Sequence, residues 1–103
     1  MDKVIRDGKV AVLYSPGYGA GWYSCFGIEE LLYDPKVVYM VENKDSTRAI
    51  EDYIRSKYGE GPYLGGAEDL EVAWIDIGTE FIINVYDGSE SIQLKKDFKW
   101  FVA

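Results

Sequence analysis

Two Asp-Gly pairs, Asp7-Gly8 and Asp87-Gly88, constrain this chain more than any other feature. Each lies between runs of strand-forming residues. Each is a strong two-residue hairpin signal, because both positions tolerate positive φ. The first joins residues 3–6 to Lys9-Val10-Ala11-Val12-Leu13-Tyr14, whose continuous apolar character marks a central strand. The second joins residues 79–86 to residues 89–95. Upstream of it, residues 70–75 alternate, with Leu70, Val72 and Trp74 on one face and Glu71 and Ala73 on the other. Asp76-Ile77-Gly78 can turn that strand into the next, so a three-strand meander is expected.

Between the hairpins lie the helical signals. Residues 26–33 can hold a short turn. Asp34-Pro35 is a helix start, because the carboxylate caps free amides and proline suits the first helical position. Val37, Val38 and Val41 continue the stripe to about residue 43. Asp45-Ser46-Thr47 offers a second cap, and Ile50, Tyr53, Ile54 and Tyr58 follow at helical spacing before Gly59. Residues 60–67 read as a loop. Residues 98–102 fit a last strand or a docked tail, with Trp100 in the core; periodicity leaves both open. The expected fold class is α+β: one domain over residues 1–103, with a small, mostly antiparallel sheet. That sheet is the N-terminal hairpin plus the C-terminal meander, with two or three short helices on one face.

The stretch Ser15-Pro16-Gly17-Tyr18-Gly19-Ala20-Gly21-Trp22-Tyr23-Ser24 is unlike ordinary scaffold. A strand, a glycine loop and a helix can present backbone N–H groups to an anion. The spacing fits neither G-x-x-x-x-G-K-[ST] nor G-x-G-x-x-G. Two readings stand. In one, Ser15, Gly17, Gly19 and Gly21 hold a phosphate while Tyr18, Trp22, Tyr23 or Tyr63 stacks on a base. In the other, a bulge or Ω-loop lets the backbone pass beneath its own aromatics and only covers the core.

Charge narrows the partners. Eleven Lys and Arg oppose eighteen Asp and Glu, a net charge of −7, which argues against direct nucleic-acid binding. From Glu60 to Glu90 there are eight acids and no Lys or Arg. Glu68, Asp69, Glu71, Asp87 and Glu90 are the candidate acidic surface: a solvated face, or a mimic of phosphate spacing that fills a basic groove. Asp87, Ser89 and Glu90 supply oxygens suited to a divalent cation. The loop is not an EF-hand, however, and the hairpin turn already accounts for Asp87-Gly88, so no metal or cofactor is expected.

Histidine is absent and Cys25 is alone, which removes an internal disulfide, a Cys/His zinc site and the commonest general base. No serine sits in a G-x-S-x-G elbow. Paired carboxylates such as Glu68 and Asp69 have no marked sugar cleft around them. A non-enzymatic protein is expected. No apolar run approaches the ~18 residues of a membrane span, and the N-terminus lacks a signal-peptide core, so the expected location is cytoplasmic, away from membranes.

The strings in residues 7–13 and 15–22, Gly65-Gly66-Ala67-Glu68-Asp69-Leu70-Glu71-Val72, and Tyr86-Asp87-Gly88-Ser89-Glu90-Ser91 resemble a family of small phage- and prophage-encoded proteins. The resemblance covers most of the chain and is weakest over residues 42–58. It carries no catalytic residue across. It implies a setting inside the infected host cell, where small acidic phage proteins antagonise antiviral defence. The leading expectation is therefore sequestration of a nucleotide-like signalling ligand. The alternatives are an acidic nucleic-acid mimic that blocks a CRISPR-type or other basic host protein, and a structural or homo-oligomeric module of the phage.

Overall fold

The computed structural model describes residues 2–17, 21–59, 65–97 and 101–103; for Cys25, Phe26, Gly65 and Gly66 it describes the backbone alone. Five strands are present among these: β1 (Ile5–Arg6), β2 (Lys9–Tyr14), β3 (Glu71–Asp76), β4 (Phe81–Tyr86) and β5 (Ser89–Leu94). The helices are a single turn α1 (Tyr23–Phe26), then α2 (Pro35–Glu42) and α3 (Thr47–Tyr58). Short 3-10 segments cover Glu29–Leu32, Gly65–Asp69 and Lys95–Asp97. The chain is α+β with antiparallel strands throughout.

Both Asp-Gly pairs form the expected turns. Asp7 and Gly8 have φ of 51° and 76°, and Asp87 and Gly88 have 49° and 81°. They pair Arg6 with Lys9 and Tyr86 with Ser89. The helix starts also follow the sequence. Asp34 accepts from the N–H groups of Lys36 and Val37, and Ser46 accepts from that of Ala49.

The meander divides. β3 pairs along its whole length with β2, from Lys9 opposite Asp76 to Tyr14 opposite Glu71. One sheet is thus ordered β1-β2-β3, and β4-β5 forms a separate two-stranded sheet. The reason lies in the apolar pattern of β2, which needs cover on both faces. On one face Ala11 and Leu13 pack with Val72, Trp74, Val37, Val38, Ile50 and Ile54. On the other, Val12 and Ile75 pack with Leu32, Tyr33, Phe81, Ile83, Ile92 and Leu94. The β4-β5 hairpin therefore folds over the first sheet as a lid instead of extending it. Helices α2 and α3 pack on the opposite face, while Tyr23 of α1 and Leu32 of the first 3-10 segment join the lid side. The 3-10 segment Gly65–Asp69 replaces the end of the expected loop. Of the candidate last strand or docked tail over residues 98–102, residues 98–100 with Trp100 lie outside the described residues, and Phe101 and Val102 are exposed and in no strand.

Candidate functional site

The glycine-rich stretch leaves the end of β2 and meets the hairpin at Glu90. Glu90 shares the strand face of Ile92 and Leu94, which points into the protein. Its side chain is 2% exposed. Oε1 accepts the Ser15 N–H at 2.9 Å, and Oε2 accepts the N–H groups of Trp22 and Ser24 at 3.0 and 2.8 Å. Ser24 Oγ also donates to Oε2 at 2.8 Å. The Glu90 N–H returns a bond to the Ser15 carbonyl at 2.7 Å, and Ser89 Oγ donates to the Pro16 carbonyl.

This corrects the placement of Glu90 on the acidic surface. The loop does build an anion cradle from backbone amides, as a strand–glycine loop can. The anion it holds is the chain's own carboxylate. Burying a carboxylate is costly without donors, and here four donors surround it.

The other loop residues divide. Ser15 is 1% exposed. Gly17 is half-buried, and a methyl group in place of its hydrogen would sit 2.8 Å from Asp69 Cβ, with the Asp69 carboxylate closer still. Gly21 has φ of 78° and faces the Ser24 hydroxyl, with Glu90 Oε2 at 3.5 Å from a Cβ built there. Trp22 is fully buried and donates from Nε1 to the Leu31 carbonyl at 2.8 Å. A ring held this way is a lid on the core, so its expected role in stacking on a ligand is not available. Tyr23 is half-buried and lines a cleft with Tyr33, Glu29 and β4. Tyr18, Gly19 and Tyr63 lie outside the described residues.

Glu68, Asp69, Glu71 and Asp87 are exposed, as expected. Glu71 accepts the Tyr14 hydroxyl at 3.0 Å. Among the described residues, none of the four forms an ion pair with Lys or Arg.

A second buried carboxylate was visible in the sequence only as a helix cap. Asp34 is 2% exposed at the start of α2. Besides the Lys36 and Val37 amides it accepts the hydroxyls of Tyr53 at 3.0 Å and Tyr58 at 2.8 Å, and the Lys57 ammonium at 2.9 Å. Burial works to raise its pKa, but the bonds from Lys57, Tyr58, Val37 and Tyr53 outweigh it and hold the carboxyl below its usual range. Its partners respond. Hydrogen bonding to Asp34 raises the Lys57 ammonium, and burial followed by the Asp34 bond raises the Tyr58 hydroxyl. The cluster borders a cleft of about 490 Å³ with Asp2, Glu30 and Pro35. Every acceptor site of Asp34 is used, so it has no free lone pair to act as a base. Part of the signal is in the sequence: Tyr53 and Lys57, four residues apart, share a face of α3, while Tyr58 lies about 100° further round.

Among the described residues, no buried side-chain nitrogen or oxygen lacks a partner, and no group of three or more acids or cysteines is placed to hold a metal. None of the described helices is long and apolar enough to cross a membrane. Comparisons with protein-family models, with curated proteins and with solved structures find no match to this chain.

Proposed function

We propose that the chain is a non-enzymatic binding protein whose acidic face occupies a basic, nucleic-acid-binding surface of a host defence protein. The observation that carries this reading is the exposed set Glu68, Asp69 and Glu71, without a Lys or Arg counter-ion among the described residues. Open carboxylates in a short run attract a surface evolved for phosphates, and their attraction is long-ranged at low salt. The phage setting comes from the sequence resemblance. Sequestration of a nucleotide-like ligand has less support at the glycine-rich loop. The amides of Ser15, Trp22 and Ser24 are filled by Glu90, and the buried Trp22 offers no face.

The test uses the immobilised protein and a variant carrying Glu68→Lys, Asp69→Lys and Glu71→Lys. The wild type is expected to retain a basic host protein at low salt, to release it as salt rises, and to lose it to added duplex nucleic acid. The variant is expected to retain none. If the triple variant holds the same protein with the same salt dependence, the acidic face is not the binding surface.

A further inference from the structure

The two-stranded sheet leaves one edge of β4 without a partner strand among the described residues. The pairing pattern identifies the groups on that edge. Lys95 N–H bonds to the Glu80 carbonyl at 2.8 Å, and the two-residue turn closes on Tyr86 and Ser89. Hydrogen-bonded positions alternate along an antiparallel pair. Glu80, Ile82, Asn84 and Tyr86 therefore face β5. Phe81, Ile83 and Val85 turn their N–H and C=O groups to the open edge. Natural edge strands are blunted by charge, proline or a bulge. Residues 81–86, Phe-Ile-Ile-Asn-Val-Tyr, contain no charge, proline or glycine.

That edge borders a cleft. The unbroken run Thr79–Ile83 lines a space of about 640 Å³ opposite Tyr23, Tyr33 and Glu29. Successive side chains of a strand point to opposite faces. Three consecutive residues of β4, Phe81, Ile82 and Ile83, are in this run, so both faces of the strand and the edge between them border the cleft. We propose that this edge takes up an extended peptide segment, apolar in its middle and basic at both ends, as a third strand beside β4. Main-chain bonds to Phe81, Ile83 and Val85 would supply the ladder, as in other cases of strand addition.

Charge selects this occupant over a second copy of the chain. Glu29 and Glu80 line the cleft and Asp87 follows the far end of β4. Lys95 pairs with Glu80 at 2.7 Å, an exposed pair of the kind that yields readily to a competitor. Lys3 already covers the Tyr33 ring at 4.4 Å, so the Glu29 and Glu80 carboxylates, and not this ring, are the anchors for a cationic end. A second copy paired antiparallel about Ile83 would set Glu80 against Tyr86, with no charge complement along the seam, and bring two chains of charge −7 together. The proposal stands apart from the acidic-face reading, since it uses none of Glu68, Asp69 and Glu71.

The test follows amide hydrogen exchange in the full chain with a short capped peptide of alternating valine and threonine between terminal lysines. Protection of the Phe81, Ile83 and Val85 amides by about tenfold or more is expected, with saturable binding. The same peptide N-methylated on its pairing edge, or ended in glutamates, should bind at least about tenfold more weakly. Val85→Pro removes one outward N–H and leaves the β5 ladder intact, so it should keep the thermal transition and lose affinity. Unchanged exchange of the three amides in the wild type, at peptide concentrations up to solubility, overturns the proposal. Protection that rises with protein concentration and no peptide overturns it too, in favour of self-pairing.

Discussion

Ser15 and Glu90, 75 residues apart, exchange two hydrogen bonds: the Ser15 N–H to Glu90 Oε1 at 2.9 Å, and the Glu90 N–H to the Ser15 carbonyl at 2.7 Å. The pair ties the end of β2 to the start of β5 and so fixes the lid hairpin to the central sheet. Glu90→Gln keeps the shape but must turn its amide hydrogens toward a donor. Its best orientation sets them against the Ser15 N–H, for a loss of about 1–3 kcal/mol. Glu90→Ala leaves three N–H groups and a cavity, for a loss of about 3–5 kcal/mol. Urea denaturation measures both. An alanine variant within about 0.5 kcal/mol of wild type would show that the carboxylate does not hold the loop.

A cradle emptied of its carboxylate should accept another. In Glu90→Ala, added formate or acetate can reach the amides of Ser15, Trp22 and Ser24, and binding to the folded state alone raises its stability. The melting temperature of Glu90→Ala is therefore expected to climb with formate at constant ionic strength, while the wild type stays level. Equal responses in the two proteins would mean that the amides are not the binding groups.

These residues also show where the sequence was readable. The hairpins were legible because Asp7-Gly8 and Asp87-Gly88 specify their turns locally. The helix starts at Asp34 and within Asp45-Ser46-Thr47 were legible for the same reason, and the structure picks Ser46 as the second cap. The partner of β3 was not. Asp76-Ile77-Gly78 reads as a turn whichever way the chain leaves it, and only the need to cover both faces of β2 sends β4 to another layer. Charge alone puts Glu90 outward, whereas strand alternation puts it on the inward face of Ile92 and Leu94, and in the fold alternation wins. Trp22 could be a stacking platform or a lid on sequence grounds; the bond from its Nε1 to the Leu31 carbonyl makes it a lid.

Glycine substitutions separate backbone strain from crowding. Gly21 and Gly27 both have positive φ, 78° and 69°, but a Cβ at Gly27 meets nothing within 4 Å. A Cβ at Gly21 collides with the Ser24 hydroxyl and crowds Glu90. Gly27→Ala should cost about 1 kcal/mol from conformation alone. Gly21→Ala should cost at least about 1 kcal/mol more, because Ser24 must give up its bond to Glu90. Equal losses in thermal or urea unfolding would place the Ser24–Glu90 contact outside the stability of the fold.

The Asp34 cluster predicts how stability follows pH. Its carboxyl is held below the usual range, so its contribution is present above the unfolded value and is lost as pH falls through the folded one. Lys57 and Tyr58 are raised, so their contributions are complete below their unfolded values and are lost as pH rises through the folded ones. With ordinary values near about 4 for the acid and about 10 for the base and phenol, these three groups give a plateau from about pH 5 to about pH 9. Asp34→Asn keeps a cap for the Lys36 and Val37 amides, since asparagine also caps well. It removes the charge that Lys57 and both tyrosines address, and partly exposed Lys57 can return to water. A loss on the order of 2 kcal/mol is expected on the plateau. The gap between wild type and variant should begin to narrow as pH falls below about 4 and again as it rises above about 10. Urea unfolding across that range measures it. A gap constant at every pH would mean that Asp34 stabilises α2 as a cap alone and that its charge contributes nothing.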